Sequence, residues 1–196
     1  MSWPCFAGVF RTARKKAFDR FVIGLALAAA AMPLQAQAAQ PVSYRLSGMV
    51  EHVFDGDTLR LNTGARRDRT VRLASIDAPE ADTPGRPGQP FAQASKRMLS
   101  DRVQGQRVTA ACYEADAYGR DICEVHLADG SSVNREMVQA GMAWANMEGR
   151  GKYLRDPGLP TVQQEARVAR RGLWSQQAPL EPWHWRHACW RKGQCR

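Results

Sequence analysis

Three short stretches of this chain carry side chains that could do chemistry together. They are Asp55-Gly56-Asp57-Thr58, the run from Arg72 to Glu80, and Asp116-Ala117-Tyr118-Gly119-Arg120. Between them they supply carboxylates for a hard cation, guanidiniums for a phosphate and a spare carboxylate for a proton, the parts of a phosphodiester-cleaving site. Asp55 and Asp57 are two apart, so in extended chain both leave one face, where they repel unless a cation lies between them. An ordinary Asp-Gly hairpin is the competing reading of that tetrapeptide. Asp77 directly precedes Ala78-Pro79, where a strand would end with free carbonyls. The Asp57 and Asp77 carboxylates and the Ala78 carbonyl then form an oxygen-only set, which points to calcium or magnesium rather than zinc. Arg72 and Arg120 are the candidates for two-point phosphate contact, since a guanidinium keeps its charge and presents parallel donors. Glu80, just beyond the cation ligands, could deprotonate an attacking water, or it is a charged loop residue.

A sheet must bring these separated stretches together. From Val42 to Leu61 the chain alternates as strands do, with Val50, Val53, Leu59 and Leu61 as expected core contacts and Asp55-Gly56 as a turn. Residues 62–66 predict a second turn and Thr70 to Ile76 a third strand. Residues 78–90 hold four prolines and two glycines, which predicts an irregular loop and a flexible flap beside the site. Phe91 to Val103 has helical spacing, with Pro90 suited to the first turn. Val108 to Cys112 and Asp121 to Leu127 read as two more strands. Ser132 begins a second helix with a stripe of Val133, Met137, Val138, Ala140 and Met142, and Thr161 caps a third, which Gly172 ends near Arg171. The order is an α+β, mainly β arrangement: a five-stranded OB-fold barrel with three helices, an architecture that commonly binds oligonucleotides.

Composition agrees with a polyanionic partner. The 196 residues carry a net charge of +9 and a pI of about 9.8. Five basic residues precede an apolar run from Phe21 to Met32, broken by Pro33 and followed by Ala36-Gln37-Ala38. That run is short for a bilayer span and suits a signal peptide over residues 1–38, an uncleaved anchor being the alternative. Its removal lowers the charge from +9 to +5, because Arg11, Arg14, Lys15, Lys16 and Arg20 outnumber Asp19 by four. The expected organisation is a domain over residues 39–178, a Trp/Arg-rich tail over residues 179–196, and an exported, periplasmic or secreted product with no stable membrane association. Cys112, Cys123, Cys189 and Cys195 then remain in an oxidising compartment, and proximity pairs Cys112 with Cys123 and Cys189 with Cys195. A zinc site from His184, His187, Cys189 and Cys195 is the rival, without a standard spacing.

Taken together, Val53 to Thr58, Arg72-Leu73, Ile76 to Glu80, Asp116 to Arg120, Val133-Asn134 and Gly172-Leu173-Trp174-Ser175 closely resemble the staphylococcal-nuclease-like (thermonuclease) family, over roughly Ser43 to Ser175. The resemblance implies one calcium ion held by Asp57, Asp77 and the Ala78 carbonyl, with Asp55 acting through water. It implies Glu80 as general base, Arg72 and Arg120 on the phosphate, and Tyr118 beside the nucleotide. The implied reaction is in-line attack by water on DNA or RNA, leaving 3′-phosphate ends. A monomer is expected. Three positions depart from the best-known member: Ala78 replaces a threonine, Ala117 a lysine, and an aromatic contact is lost around Met147. Trp183, Trp185 and Trp190, interleaved with Arg186, Arg191 and Lys192, lie outside the matched region and either stack on bases or form a stapled cap on the barrel. A non-catalytic OB-type binding module and a calcium-stabilised structural protein are the competing functions.

Overall fold

The computed structural model of the chain describes residues 41–195. The expected signal segment and Cys5 lie outside the described residues.

Alternation builds the barrel. In β1 (Tyr44–Val53) and β2 (Thr58–Asn62), Val50, Val53, Leu59 and Leu61 are buried, as their spacing predicts. β3 (Arg69–Leu73) buries Val71 and Leu73 and ends earlier than expected. Ser75, with φ of 66°, turns the chain into a separate two-residue strand, β4 (Ile76–Asp77). β5 (Arg107–Ala115) and β6 (Asp121–His126) add Val108, Ala110, Cys112, Cys123 and Val125 to the interior. The strands close in the order β1-β2-β3-β6-β5, with β5 returning to β1. The β3–β6 pairing is parallel and the others are antiparallel. This is the expected OB-type barrel. Each fully buried Leu or Val contributes roughly 1.5–3 kcal/mol over leaving it exposed. The Cys112–Cys123 disulfide joins β5 to β6 inside it.

The helices form near their expected positions but not at their expected ends. α1 (Ala92–Val103) starts after Phe91, whose left-handed φ of 70° leaves Pro90 ahead of the helix rather than in its first turn. α2 (Val133–Gln139) is capped by Ser132, whose Oγ accepts the Arg135 N–H at 3.2 Å. It stops before Gly141, so Ala140 and Met142 leave the predicted stripe, and the chain enters β7 (Trp144–Ala145), which pairs with β4. α3 (Leu159–Val168) carries Pro160 in its first turn, and Thr161 is an interior residue rather than the cap. A 3-10 turn, Gly172–Ser175, then buries Leu173 and Trp174. The tail forms α4 (Pro182–Trp185), which continues as a wider π turn to Arg191 and is stapled by Cys189–Cys195.

The loop expected to be a flexible flap is tied down. Thr83 and Arg86 bridge each other, the Gln89 N–H donates to the Glu80 carbonyl at 2.8 Å, and Gln89 Nε2 donates to the Leu180 carbonyl. Both the Trp185 and Trp190 indole N–H groups donate to the Pro87 carbonyl, at 3.2 and 3.0 Å. The tail is therefore a cap docked on this loop. Among the described residues no helix is long and apolar enough to cross a membrane.

Candidate active site

Strand register assembles the site. Thr58 faces Arg72 across β2–β3, and the parallel β3–β6 pairing sets Arg72 beside Ile122. Asp57, one residue ahead of β2, and Arg120, just ahead of β6, therefore flank Arg72. The Asp55–Thr58 turn is held by the Asp57 N–H on Asp55 Oδ1, at 3.0 Å. Gly56 serves this turn through space rather than through φ: a Cβ there would lie 1.9 Å from Ser95 Oγ on α1. Only glycine lets the turn approach the helix so closely.

Arg72 is the hub. Its Nη1 donates to Asp57 Oδ1 at 2.5 Å and its Nη2 to Asp77 Oδ1 at 2.7 Å, and both aspartates are buried. Asp57 Oδ1 also accepts the Thr58 hydroxyl at 3.0 Å, while its Oδ2 accepts the Ala78 N–H at 2.8 Å. Burial pushes Asp57 above the usual carboxylate range, opposed by Arg72 and reinforced by Asp55. Burial works against the Arg72 charge, yet Asp57 and Asp77 outweigh it and hold the guanidinium above its ordinary value.

Asp77 reaches this hub because of the Ser75 turn. Ser75 Oγ accepts the backbone N–H groups of Arg155 and Asp156, at 2.7 and 3.2 Å, and the Ser75 carbonyl accepts the Asn146 N–H at 2.8 Å. None of these three partners is close in sequence. Asn134 completes the support: its amide donates to the Ala74 and Cys123 carbonyls at 2.9 and 3.1 Å and its oxygen accepts the Val125 N–H at 3.0 Å.

Asp55, Asp57, Arg72, Ala78, Glu80, Arg120 and Tyr118 line one cleft of about 520 Å³. Burial raises Glu80 to about 7, opposed by Arg186 and assisted by Asp77 and Asp57. Arg120 is held by Asp116, with Nε and Nη2 at 2.8 and 2.7 Å from Oδ2, and its guanidinium stacks 5.5 Å from the ring centre of the exposed Tyr118. Against the cost of burial, the Arg120 and Tyr118 N–H groups and the Arg120 guanidinium keep Asp116 below the usual carboxylate range. Asp121 belongs elsewhere. It is fully buried and accepts from Tyr44 and Arg69 at the end of the barrel.

The donors suit a hard cation. Arg72 occupies Oδ1 of both aspartates and Arg186 donates to both oxygens of Asp77, while Asp57 Oδ2 has a single donor, so Asp57 has the freer acceptor capacity for an ion. The cleft is lined by more carboxylates, Asp55, Asp57, Glu80, Glu114, Asp116 and Glu148, than guanidiniums, Arg72, Arg120, Arg155 and Arg186, an excess that favours a cation. Among the described residues no group of three acidic, histidine or cysteine side chains is arranged to hold a metal ion by itself. Two carboxylates and the Ala78 carbonyl would leave the remaining positions to water and a phosphate.

Several cleft residues carried no sequence signal. Arg186 Nη1 donates to Glu80 Oε1 at 2.5 Å and its Nη2 to Asp77 Oδ2 at 3.0 Å, from the far end of the chain. The sequence placed Arg186 in a Trp/Arg-rich tail that either meets nucleic acid or caps the barrel, and not beside Asp77 and Glu80. Arg155, also lining the cleft, pairs with Glu114 at 2.7 Å. Cys189 and Cys195 are joined to each other and His184 pairs with Glu181, which removes the zinc alternative.

A profile of the family described as staphylococcal nuclease homologue matches residues 70–176. A protein of Escherichia coli O157:H7 named uncharacterized endonuclease is 40% identical over 142 residues, covering 72% of this chain and 86% of that protein. A Haemophilus influenzae protein of the same name is 39% identical over 137 residues, 70% of this chain and 71% of its own. A Shigella flexneri protein named micrococcal nuclease is 37% identical over 149 residues, covering 72% and 80% of the two chains.

Proposed function

The chain belongs to the staphylococcal nuclease homologue family and is a nuclease, and from that premise we propose that it is an exported, calcium-dependent endonuclease that hydrolyses DNA or RNA to 3′-phosphate ends. The observation that carries the reading is one cleft in which Arg72 bridges two buried aspartates while Glu80 and Arg120 line the same space. Asp57, Asp77 and the Ala78 carbonyl would hold the calcium ion, with Asp55 acting through a water. When bound, the ion would draw negative charge from the scissile phosphate and help orient water.

The side chains supply the rest. Glu80 Oε2 has no protein donor among the described residues, so it is open to take a proton from the attacking water. Arg72 on β3 and Arg120 in the turn ahead of β6 approach the phosphate and stabilise charge as it builds on the equatorial oxygens. The 5′ oxygen leaves opposite the water, and the phosphate stays on the 3′ side. Tyr118, exposed at the rim, offers a ring face beside the nucleotide. Export is supported by the amino-terminal pattern and by two disulfides.

The test is incubation of the mature protein with plasmid and single-stranded DNA, in calcium or in a calcium-selective chelator, followed by end-group analysis. Expected are cleavage only with calcium and 3′-phosphate ends. Cleavage indifferent to the chelator would sink the calcium assignment, and no cleavage in either condition would favour a binding module. Glu80→Gln is expected to lower kcat by about 10² or more, the contribution of a positioned general base.

A further inference from the structure

The carboxylate assigned as base is held from outside the barrel. Glu80 starts an irregular loop immediately after Pro79, where no strand or helix fixes its side chain. Its backbone is tied to Gln89, with Glu80 N–H donating to Gln89 Oε1 at 3.2 Å and its carbonyl accepting the Gln89 N–H at 2.8 Å. Those bonds fix the main chain only. A glutamate with three free torsions would otherwise sample many positions, and ordering it carries an entropic cost.

Arg186 supplies the missing restraint. One guanidinium reaches Glu80 Oε1 at 2.5 Å and Asp77 Oδ2 at 3.0 Å, with Glu148 Oε2 at 3.5 Å. Because the guanidinium is planar, these bonds set the separation and orientation of a loop carboxylate against a buried strand carboxylate. Arg186 is itself held by the packing of its neighbours. Trp185 is buried, the Trp185 and Trp190 indoles converge on the Pro87 carbonyl, Arg86 stacks 5.2 Å from the Trp190 ring centre, and Cys189–Cys195 closes the turn. The indole hydrogen bonds and the Arg86 stacking of this segment fall on the same loop that carries Glu80.

We propose that Arg186, delivered by the C-terminal cap, is a positioning residue for phosphodiester cleavage: it bridges Asp77 and Glu80 and orients Glu80 so that Oε2 faces the attacking water. The proposal rests on Glu80 being the base. The barrel is then catalytically incomplete without its C-terminal segment, which completes the site instead of merely covering the fold.

The experiment is a double-mutant cycle on the mature protein with calcium and single-stranded DNA, comparing wild type, Arg186→Met, Glu80→Gln and the pair, with Arg186→Lys alongside. Arg186→Met is expected to lower kcat by about 10²-fold, the scale of a loss of alignment, with KM changed less than about threefold. In the Glu80→Gln background the same substitution should change kcat by less than about threefold, because its effect runs through Glu80. Arg186→Lys should recover part of the rate, since one ammonium can hold Glu80 but cannot bridge both carboxylates. Unchanged or raised kcat in Arg186→Met overturns the proposal; a raised value means the guanidinium obstructs the site. An equal loss in both backgrounds overturns it too, because Arg186 then acts independently of Glu80. If Glu80→Gln alone cleaves at the wild-type rate, the base assignment fails and the proposal falls with it, whereas a slow Glu80→Gln with a fast Arg186→Met removes only the role of Arg186.

Discussion

Replacing Asn134 by alanine tests how the scaffold holds the site. Asn134 is fully buried at the start of α2, and its amide makes three hydrogen bonds, to the Ala74 and Cys123 carbonyls and from the Val125 N–H. Those bonds clamp the helix to the parallel β3–β6 junction, one residue from the Ser75 turn that aims Asp77. Each bond contributes about 1 kcal/mol net, so the three together contribute about 3 kcal/mol. The Cys123 carbonyl keeps the Ala74 N–H at 2.8 Å, but the Val125 N–H and Ala74 carbonyl lose their Asn134 partner inside the protein. That desolvation raises the expected cost of Asn134→Ala to about 3–5 kcal/mol, a large share of a typical domain's stability. Urea denaturation of the oxidised mature protein, extrapolated to water with m unchanged, measures it. Asn134→Asp sharpens the test. It preserves shape and the Val125 contact but turns a carboxylate oxygen toward two carbonyls, and should cost at least as much as alanine. A loss below about 1 kcal/mol in the alanine variant, or an aspartate variant near wild type, would refute the clamp.

Gly56→Ala forces a Cβ to within 1.9 Å of Ser95 Oγ and 2.7 Å of the Ala78 Cβ, so either α1 or the Asp55–Asp57 turn must shift. The expected cost is about 1–3 kcal/mol, read as a lowered thermal midpoint, together with weaker calcium binding by calorimetry; an unchanged midpoint would contradict the close approach. Arg120→Lys should lower kcat by about tenfold or more, because one ammonium cannot keep the Asp116 pair and contact a phosphate in two places. Unchanged kinetics would reduce Arg120 to a surface charge. Replacing both Cys112 and Cys123 by alanine should cost about 2–4 kcal/mol in the same urea assay, since the disulfide closes a loop between residues 11 apart. An unchanged midpoint would mean that the β5–β6 pairing needs no crosslink.

What the sequence by itself determined is the local part of this protein. Period-two alternation identified the barrel strands, and the apolar stripe after Ser132 marked α2, because burial patterns act over a few residues. The three chemical stretches were legible for the same reason: each carries its own carboxylates beside a turn or strand end, and two of them, Arg72 to Glu80 and Asp116 to Arg120, carry an arginine as well. The places where the reading failed depend on partners distant in the chain. Thr70 to Ile76 looked like one strand, since nothing local reveals that Ser75 takes a left-handed conformation braced by Asn146, Arg155 and Asp156. Thr161 looked like a cap until α3 began two residues earlier. The loop after Glu80 looked mobile from its prolines and glycines, yet Pro87 and Gln89 are held by the tail. Arg186 shows the division most clearly. Its composition marked it as one basic residue among several, and only tertiary docking, across a separation of 106 residues, set it on Glu80. Charge and hydrogen bonding act over a few ångströms of space whatever the distance along the chain, so the fold alone decided which arginine meets which carboxylate.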